Sequence, residues 1–92
     1  MPKPITVDLP ERLTIMTAES LHELLEPHLQ SQKDLVLNAE NVERVDTAGL
    51  QVLLSFCQTL KGQNIAVTWS SPTEALSDGA TQLGIAEALA IS

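Results

Sequence analysis

The chain has 92 residues, which suits one small domain and leaves no room for a second hydrophobic core. Its hydrophobic fraction of 43% is too high for a disordered protein. The formal net charge of −7 and the aromatic content of only 2% weigh against nucleic-acid binding and against attraction to anionic headgroups. Composition therefore predicts a single globular domain over residues 1–92.

The location of the protein is inferred from cysteine usage and from apolar runs. Cys57 is the single cysteine and cannot form an internal disulfide. The first ten residues, MPKPITVDLP, lack the apolar segment of a secretory signal. No apolar run approaches the roughly 20 residues that span a bilayer. We therefore expect a cytoplasmic protein without direct membrane insertion.

The first third of the chain changes from a period of two to a helical period. Residues 5–9 and 12–16 both alternate apolar and polar side chains, and the short turn between them predicts an antiparallel hairpin. Residues 17–31 then place leucines on one face of an amphipathic helix. Thr17 is the expected N-cap, and Pro27 predicts a kink or an irregular final turn.

The middle of the chain contains the longest predicted helix. Residues 35–38, LVLN, form a short apolar run that predicts a buried strand. Residues 39–46 are interpreted as a connection. The following helix is predicted over residues 47–60, with Gly62 as the residue after its end.

The last third repeats the strand-then-helix order. Residues 65–69, IAVTW, predict a strand, and Pro72 suits the first turn of a weaker helix that ends at Gly84. The tail suggests a further helical turn and then a short last strand. The complete order predicts an α/β fold with a mixed β-sheet of four to five strands and helices packed on it.

No set of side chains in the sequence suggests catalysis. His22 and His28 are six residues apart, which does not place them on one helical face as metal ligands. Cys57 lies on the apolar face of the long helix, where a buried thiol is usual. The four glycines are scattered and do not form a phosphate-binding loop. We predict that the protein is not an enzyme and has no catalytic residues, no metal and no cofactor.

The segment Asp46-Thr47-Ala48-Gly49-Leu50 stands where a short apolar run becomes the long helix. An ordinary N-cap explains one polar residue there, but not two in tandem. Gly49 lies within the first helical turn, where alanine would be more stable by roughly 0.5–1 kcal/mol, so something is expected to approach this backbone closely. Two interpretations stay open at this point: a helix cap, or a binding site.

Thr47 is also a reasonable phosphoacceptor. A phosphate at a helix N-terminus meets free backbone N–H groups and the positive end of the helix dipole. It would add roughly −1.5 to −2 charges to an already acidic surface. Such a charge could displace a partner that is docked at this point.

These residues resemble the STAS family, the sulfate transporter and anti-sigma factor antagonist domains. The resemblance rests on VDTAGLQVLL at residues 45–54, which is similar to the family pattern of Asp, Ser or Thr, any residue, Gly and Leu before an apolar helix. The order of the other predicted elements supports it over nearly the whole chain. The resemblance implies a mixed β-sheet with packed helices and no catalysis.

The anti-sigma factor antagonist branch of this family implies a specific regulatory role. There, the residue that corresponds to Thr47 is phosphorylated by a GHKL-type kinase that also acts as the anti-sigma factor, and phosphorylation stops the antagonist from binding it. Asp46 would help to shape the same surface. The expected partner-binding residues are therefore Asp46, Thr47, Ala48, Gly49 and Leu50.

A second interpretation uses the same surface without a switch. A similar Asp-Thr-Ala-Gly-Leu motif occurs in the small STAS subunit of lipid-asymmetry ABC transporters, which docks on the ATPase subunit, and short STAS proteins occur in chemotaxis clusters. Many classical antagonists have Ser where this chain has Thr47. That difference favours a constitutive accessory subunit as the alternative to a phosphorylated switch.

Overall fold

The computed structural model describes residues 3–89 and is built around a three-stranded parallel sheet. Its strands are β1 (Ile5–Asp8), β3 (Leu35–Asn38) and β5 (Val67–Ser70), in the order β1-β3-β5. Leu37 of the central strand pairs with Val7 on one side and Trp69 on the other. The apolar run of β3 occupies the centre because a central strand of a parallel sheet is covered on both faces.

A second, two-stranded parallel sheet is formed by β2 (Arg12–Leu13) and β4 (Arg44–Val45). The prediction of an antiparallel hairpin from residues 5–9 and 12–16 is therefore wrong. Each of its strands pairs instead with a strand much later in the chain. All strand pairs within residues 3–89 are parallel, so the hairpin that would have made the sheet mixed does not form there. The α/β class is confirmed, and the five described strands are divided between two sheets of three and two strands where one sheet of four to five was predicted.

A turn immediately after β2 explains why the second strand is so short. The Thr17 hydroxyl accepts a hydrogen bond from the Thr14 N–H at 3.0 Å and donates one to the Arg12 carbonyl at 2.8 Å. The Thr17 N–H also donates to the Thr14 carbonyl at 3.0 Å. Side chains of this type compete with strand pairing for backbone groups. The chain therefore leaves the sheet at Thr14.

The first helix changes its hydrogen-bonding pattern where the sequence predicts an irregular turn. Helix α1 spans Ala18–Leu25 and continues as a 3₁₀ helix over Glu26–Gln30. Pro27 lacks a backbone N–H and lies in the first turn of that 3₁₀ segment, so the irregular final turn is confirmed. Thr17 occupies the N-cap position as predicted, but its side chain does not cap the helix.

Helix α2 spans Thr47–Gly62 and is the longest element. Gly62 belongs to its last turn, so its prediction as the residue after the helix is wrong. The left-handed backbone beyond this helix is provided by Asn64, whose φ is 61°. Asparagine tolerates this conformation because its short polar side chain bonds locally.

The C-terminal part contains helices α3 (Glu74–Gln82) and α4 (Ala86–Leu89). Gly84 adopts a φ of 72° just beyond α3, which confirms its predicted role in ending that helix. The predicted short last strand lies outside the described residues. No helix within residues 3–89 is long and apolar enough to cross a membrane.

One continuous hydrophobic core joins the sheets to the helices. Helix α2 contributes more buried residues than any other element, on the face that packs inward. These buried residues are Gly49, Leu50, Leu53, Phe56, Cys57 and Leu60. The core therefore holds α2 firmly along its length and leaves its N-terminal end at the surface.

Candidate functional site

Asp46 is the N-cap of α2. Its backbone is extended, with φ −139° and ψ 177°, and its Oδ1 accepts a hydrogen bond from the Gly49 N–H at 2.9 Å. The Asp46 carbonyl accepts the N–H of Leu50 at 3.0 Å. The helix-cap interpretation is therefore confirmed, and the capping residue of the Asp-Thr pair is Asp46.

The second carboxylate oxygen of Asp46 holds a different element. Oδ2 accepts a hydrogen bond from the Ile15 N–H at 2.9 Å, and the Asp46 N–H donates to the Leu13 carbonyl at 3.0 Å. The hydrogen bonds from the Gly49 and Ile15 N–H groups lower the pKa of Asp46. One ionised side chain thus links the start of α2 to the loop that follows β2.

Thr47 is the first residue of α2, and its side chain is exposed. Within residues 3–89, its hydroxyl makes no hydrogen bond with another protein group. Ala48 beside it is half-buried. The Thr47 hydroxyl therefore lies in solvent at the positive end of the helix dipole, where an attached phosphate would be stabilised.

Gly49 faces the backbone of β2. A Cβ atom at this position would overlap the carbonyl group of Leu13 and crowd the N–H of Thr14. The close approach expected at Gly49 is thus present, and the approaching backbone belongs to the same chain. Gly49 is buried and the side chain of Leu50 is 1% exposed. These two residues therefore support Asp46 and Thr47 from within the protein, and they present no exposed side chain to a partner.

Two apolar side chains next to this site are exposed although the sequence pattern did not predict it. Ile15 is 66% exposed and Met16 is 88% exposed, and both lie in the loop between β2 and α1. The alternation of residues 12–16 placed them in a strand. The sequence feature that could have revealed them is the pair of threonines, Thr14 and Thr17, whose turn ends the strand.

Charged side chains on the short sheet lie on the solvent side near the site. Arg12 and Arg44 are directly opposite each other in the β2–β4 pair, and both are exposed. A hydrogen bond that the protonated Glu43 side chain donates to the neighbouring Glu11 carboxylate, and the negative charge of Glu11, raise the pKa of Glu43. The surface beside Asp46 therefore carries both signs of charge.

The histidines and the cysteine do not assemble into a reactive group. The Nε2 atom of His22 lies 3.6 Å from a carboxylate oxygen of Glu26 in an exposed pair. Burial raises the pKa of Cys57 to about 11, so its thiol is protonated at neutral pH. Among residues 3–89, no three His, Cys, Asp or Glu side chains lie together in a way that could hold a metal ion.

The fold and this motif together define the family. The family model described as "Mlab, STAS domain" matches residues 2–91. The chain therefore belongs to the STAS domain family, and the resemblance inferred from VDTAGLQVLL is confirmed.

A solved structure shows the same fold. The crystal structure of a proposed anti-sigma factor antagonist from Thermotoga maritima matches with a TM-score of 0.73 and 17% sequence identity. The match covers 92% of this chain and 78% of the Thermotoga chain. No curated protein matched the sequence.

Proposed function

We propose that this protein is a non-catalytic regulatory module that binds a protein partner through the N-terminus of α2, as an anti-sigma factor antagonist does. The proposed surface centres on Asp46, Thr47 and Ala48, with Gly49 and Leu50 supporting it from beneath. In this proposal the protein acts in the cytoplasm as a single domain. The partner is an anti-sigma factor of the GHKL kinase type, and phosphorylation of Thr47 controls binding.

The observation that carries this proposal is the placement of Thr47. Its side chain is exposed at the first position of a helix whose start is already capped by Asp46. Because Asp46 performs the capping, the Thr47 hydroxyl is not needed for folding and is available for modification. A phosphate there would add roughly −1.5 to −2 charges and the bulk of a phosphoryl group at the helix N-terminus, which would disfavour a partner surface that fits tightly against Thr47.

A second candidate is a constitutive accessory subunit of a larger complex, such as a lipid-transport ABC ATPase or a chemotaxis assembly. The observation that favours it is that the hydrogen bonds that order this surface all come from the protein itself and need no phosphate. Both carboxylate oxygens of Asp46 receive hydrogen bonds from the protein's own backbone. A docking surface of this kind would be permanently available.

The two candidates are separated by recovering partners with the wild type, Thr47→Ala and Thr47→Glu. Thr59→Glu is the matched control, because Thr59 is exposed on the same helix about 18 Å further along its axis. Glutamate at position 47 is compatible with the helix dipole and should not unfold the protein. Loss of binding with Thr47→Glu is therefore attributable to the surface itself.

The switch predicts a GHKL-type kinase that binds the wild type, Thr47→Ala and Thr59→Glu but not Thr47→Glu. Intact-mass spectrometry should also find one phosphate on the wild type after incubation with that kinase and ATP, and none on Thr47→Ala. Recovery of an ABC ATPase together with an unmodified Thr47 supports the accessory subunit instead. If neither type of partner binds, or if turnover of a substrate is found, the proposal of a regulatory module is wrong.

A further inference from the structure

The loop between β2 and α1 holds two neighbouring apolar side chains in solvent. Ile15 and Met16 are exposed by 66% and 88%, whereas the next most exposed large apolar residues in the described chain, Leu24 and Leu83, reach only 39%. Single exposed apolar residues are ordinary on protein surfaces. Two adjacent ones beside a candidate site are typical of a contact surface, and methionine adapts well to a partner.

This loop has a fixed backbone. On one side, the Thr14–Thr17 turn is closed by hydrogen bonds from the Thr17 N–H and to the Thr17 hydroxyl, both at 3.0 Å. On the other side, the Ile15 N–H donates to Asp46 Oδ2 at 2.9 Å. A loop that is already ordered loses less conformational entropy on docking, which favours binding.

Asp46 connects this loop to the site of proposed modification. One of its carboxylate oxygens holds the loop at Ile15 and the other holds the first turn of α2 at Gly49. Thr47 follows Asp46 directly in the chain. The loop that carries Ile15 and Met16 is therefore held beside the first turn of α2, which carries Thr47, by the same carboxylate.

We propose that Ile15 and Met16 form the apolar part of the docking surface beside Thr47, and that Asp46 is the positioning residue that holds this part in place. This inference rests on the proposed function and names the chemistry of the partner. The occupant is a folded protein with an apolar pocket bordered by basic side chains. Its basic border is inferred from the formal net charge of −7 on this chain, which attracts a positive surface.

The first test measures affinity for the partner recovered with the wild type, used as a purified protein in titration calorimetry. The double variant Ile15→Gln, Met16→Gln should bind at least about tenfold more weakly, because a few side chains carry most of the binding energy of an interface and these two would fill the apolar pocket. The matched control is Leu24→Gln, Leu83→Gln, which removes two exposed leucines elsewhere and should leave affinity within about twofold. Circular dichroism of both double variants checks that they are folded.

The second test separates positioning from general stability. In Asp46→Asn, the side-chain oxygen can still cap α2, but the amide group cannot accept the Ile15 N–H. The substitution should weaken binding in the wild type and have little further effect in the Ile15→Gln, Met16→Gln background. A purely structural role would weaken binding to a similar degree in both backgrounds. That additive result would overturn the assignment of Asp46.

The remaining outcomes distinguish this inference from the proposed function. If the partner binds the Ile15→Gln, Met16→Gln variant as tightly as the wild type, the apolar surface is overturned while the regulatory module stands. If no partner binds any variant, the proposed function fails and this inference fails with it. If sedimentation equilibrium shows a wild-type dimer that the double variant abolishes, the occupant is a second copy of the chain and the inference is overturned.

Discussion

Asp46 and Gly49 hold the start of α2 against β2 by different physical means. Asp46 accepts backbone hydrogen bonds from Gly49 in α2 and from Ile15 in the loop after β2, and its own N–H donates to Leu13 in β2. Gly49 lets the two backbones approach more closely than any side chain would allow, since a Cβ atom would overlap the Leu13 carbonyl group. At the scale of single residues, Asp46 and Gly49 of the motif therefore serve mainly to fold the chain. Thr47 is the residue of the motif whose side chain the fold does not use.

Substitution of the two glycines of α2 should have opposite effects. Gly49→Ala forces a methyl group into the backbone of β2 and should lower the free energy of unfolding by about 3 kcal/mol or more. Gly62→Ala meets no atom within 4 Å and should raise it by about 0.5–1 kcal/mol. Urea unfolding of the wild type and both variants measures these changes in the free energy of unfolding. Equal effects of the two substitutions would contradict the close approach at Gly49.

Asp46 should make the stability depend on pH in the acidic range. Its pKa in the folded protein is lowered below the ordinary value of 3.8 by the hydrogen bonds from Gly49 and Ile15. Its stabilising contribution is therefore fully present above about pH 5 and is lost as the pH falls through the folded pKa. The wild type should exceed Asp46→Asn in stability at about pH 7, and the difference should shrink towards about pH 3.

Thermal unfolding of both proteins across this range provides the measurement for Asp46. The comparison with Asp46→Asn isolates this carboxylate, because the other acidic side chains titrate in both proteins. A stability difference that stays constant from neutral to acidic pH would show that the hydrogen bonds do not favour the ionised form.

At the scale of elements, α3 packs unusually closely on β4. Gly79 lies in the interior of α3, where glycine disfavours a helix by about 1 kcal/mol relative to alanine. A Cβ atom there would overlap the Cγ2 methyl group of Val45 on β4. The glycine is therefore required by the neighbouring strand, and the short β2–β4 sheet is covered by this helix.

The packing of α3 on β4 predicts that Gly79→Ala destabilises the wild type but stabilises a variant in which Val45 is shortened to alanine. Gly79→Ala alone should destabilise the protein by about 1–3 kcal/mol, because the valine side chain is stiff and cannot move aside. In the Val45→Ala background the crowding methyl is absent, and the same substitution should stabilise by up to about 1 kcal/mol. Denaturant unfolding of the four proteins forms a double-mutant cycle. Additive effects of the two substitutions on the free energy of unfolding would show that residues 45 and 79 are not in contact.

At the scale of the whole molecule, α4 is tied to the edge of the central sheet. The indole N–H of Trp69 on β5 donates to the Leu89 carbonyl at 2.7 Å. The side chain of Leu89 is 1% exposed and belongs to the same hydrophobic core as the strands. The last described helix is therefore part of the cooperative structure.

This connection predicts a single unfolding transition. Trp69 is the chain's only tryptophan, so its fluorescence reports the contact between β5 and α4, whereas far-ultraviolet circular dichroism reports all helices. The two signals should give coincident midpoints in urea, as expected for a small two-state domain. A fluorescence transition that precedes the loss of circular dichroism would show that α4 detaches before the core unfolds.

Several elements and the centre of the site could be predicted from local patterns in the sequence. The alternation of residues 5–9, the apolar run 35–38 and the helical period after Asp46 each identify a real element, because periodicity reports which side of a segment is buried. The pair Asp46 and Gly49 also marked the start of α2 correctly. What a residue pattern cannot show is which distant segment a strand pairs with.

The sequence by itself determined the α/β class, the long apolar helix and the motif that identifies the family. Only the tertiary structure decided that β2 pairs with β4 and not with β1, and that Ile15 and Met16 point into solvent. It also decided that the backbone facing Gly49 belongs to the protein itself. The physical reason is that these outcomes depend on contacts between residues about 30 positions apart, such as that between Ile15 and Asp46.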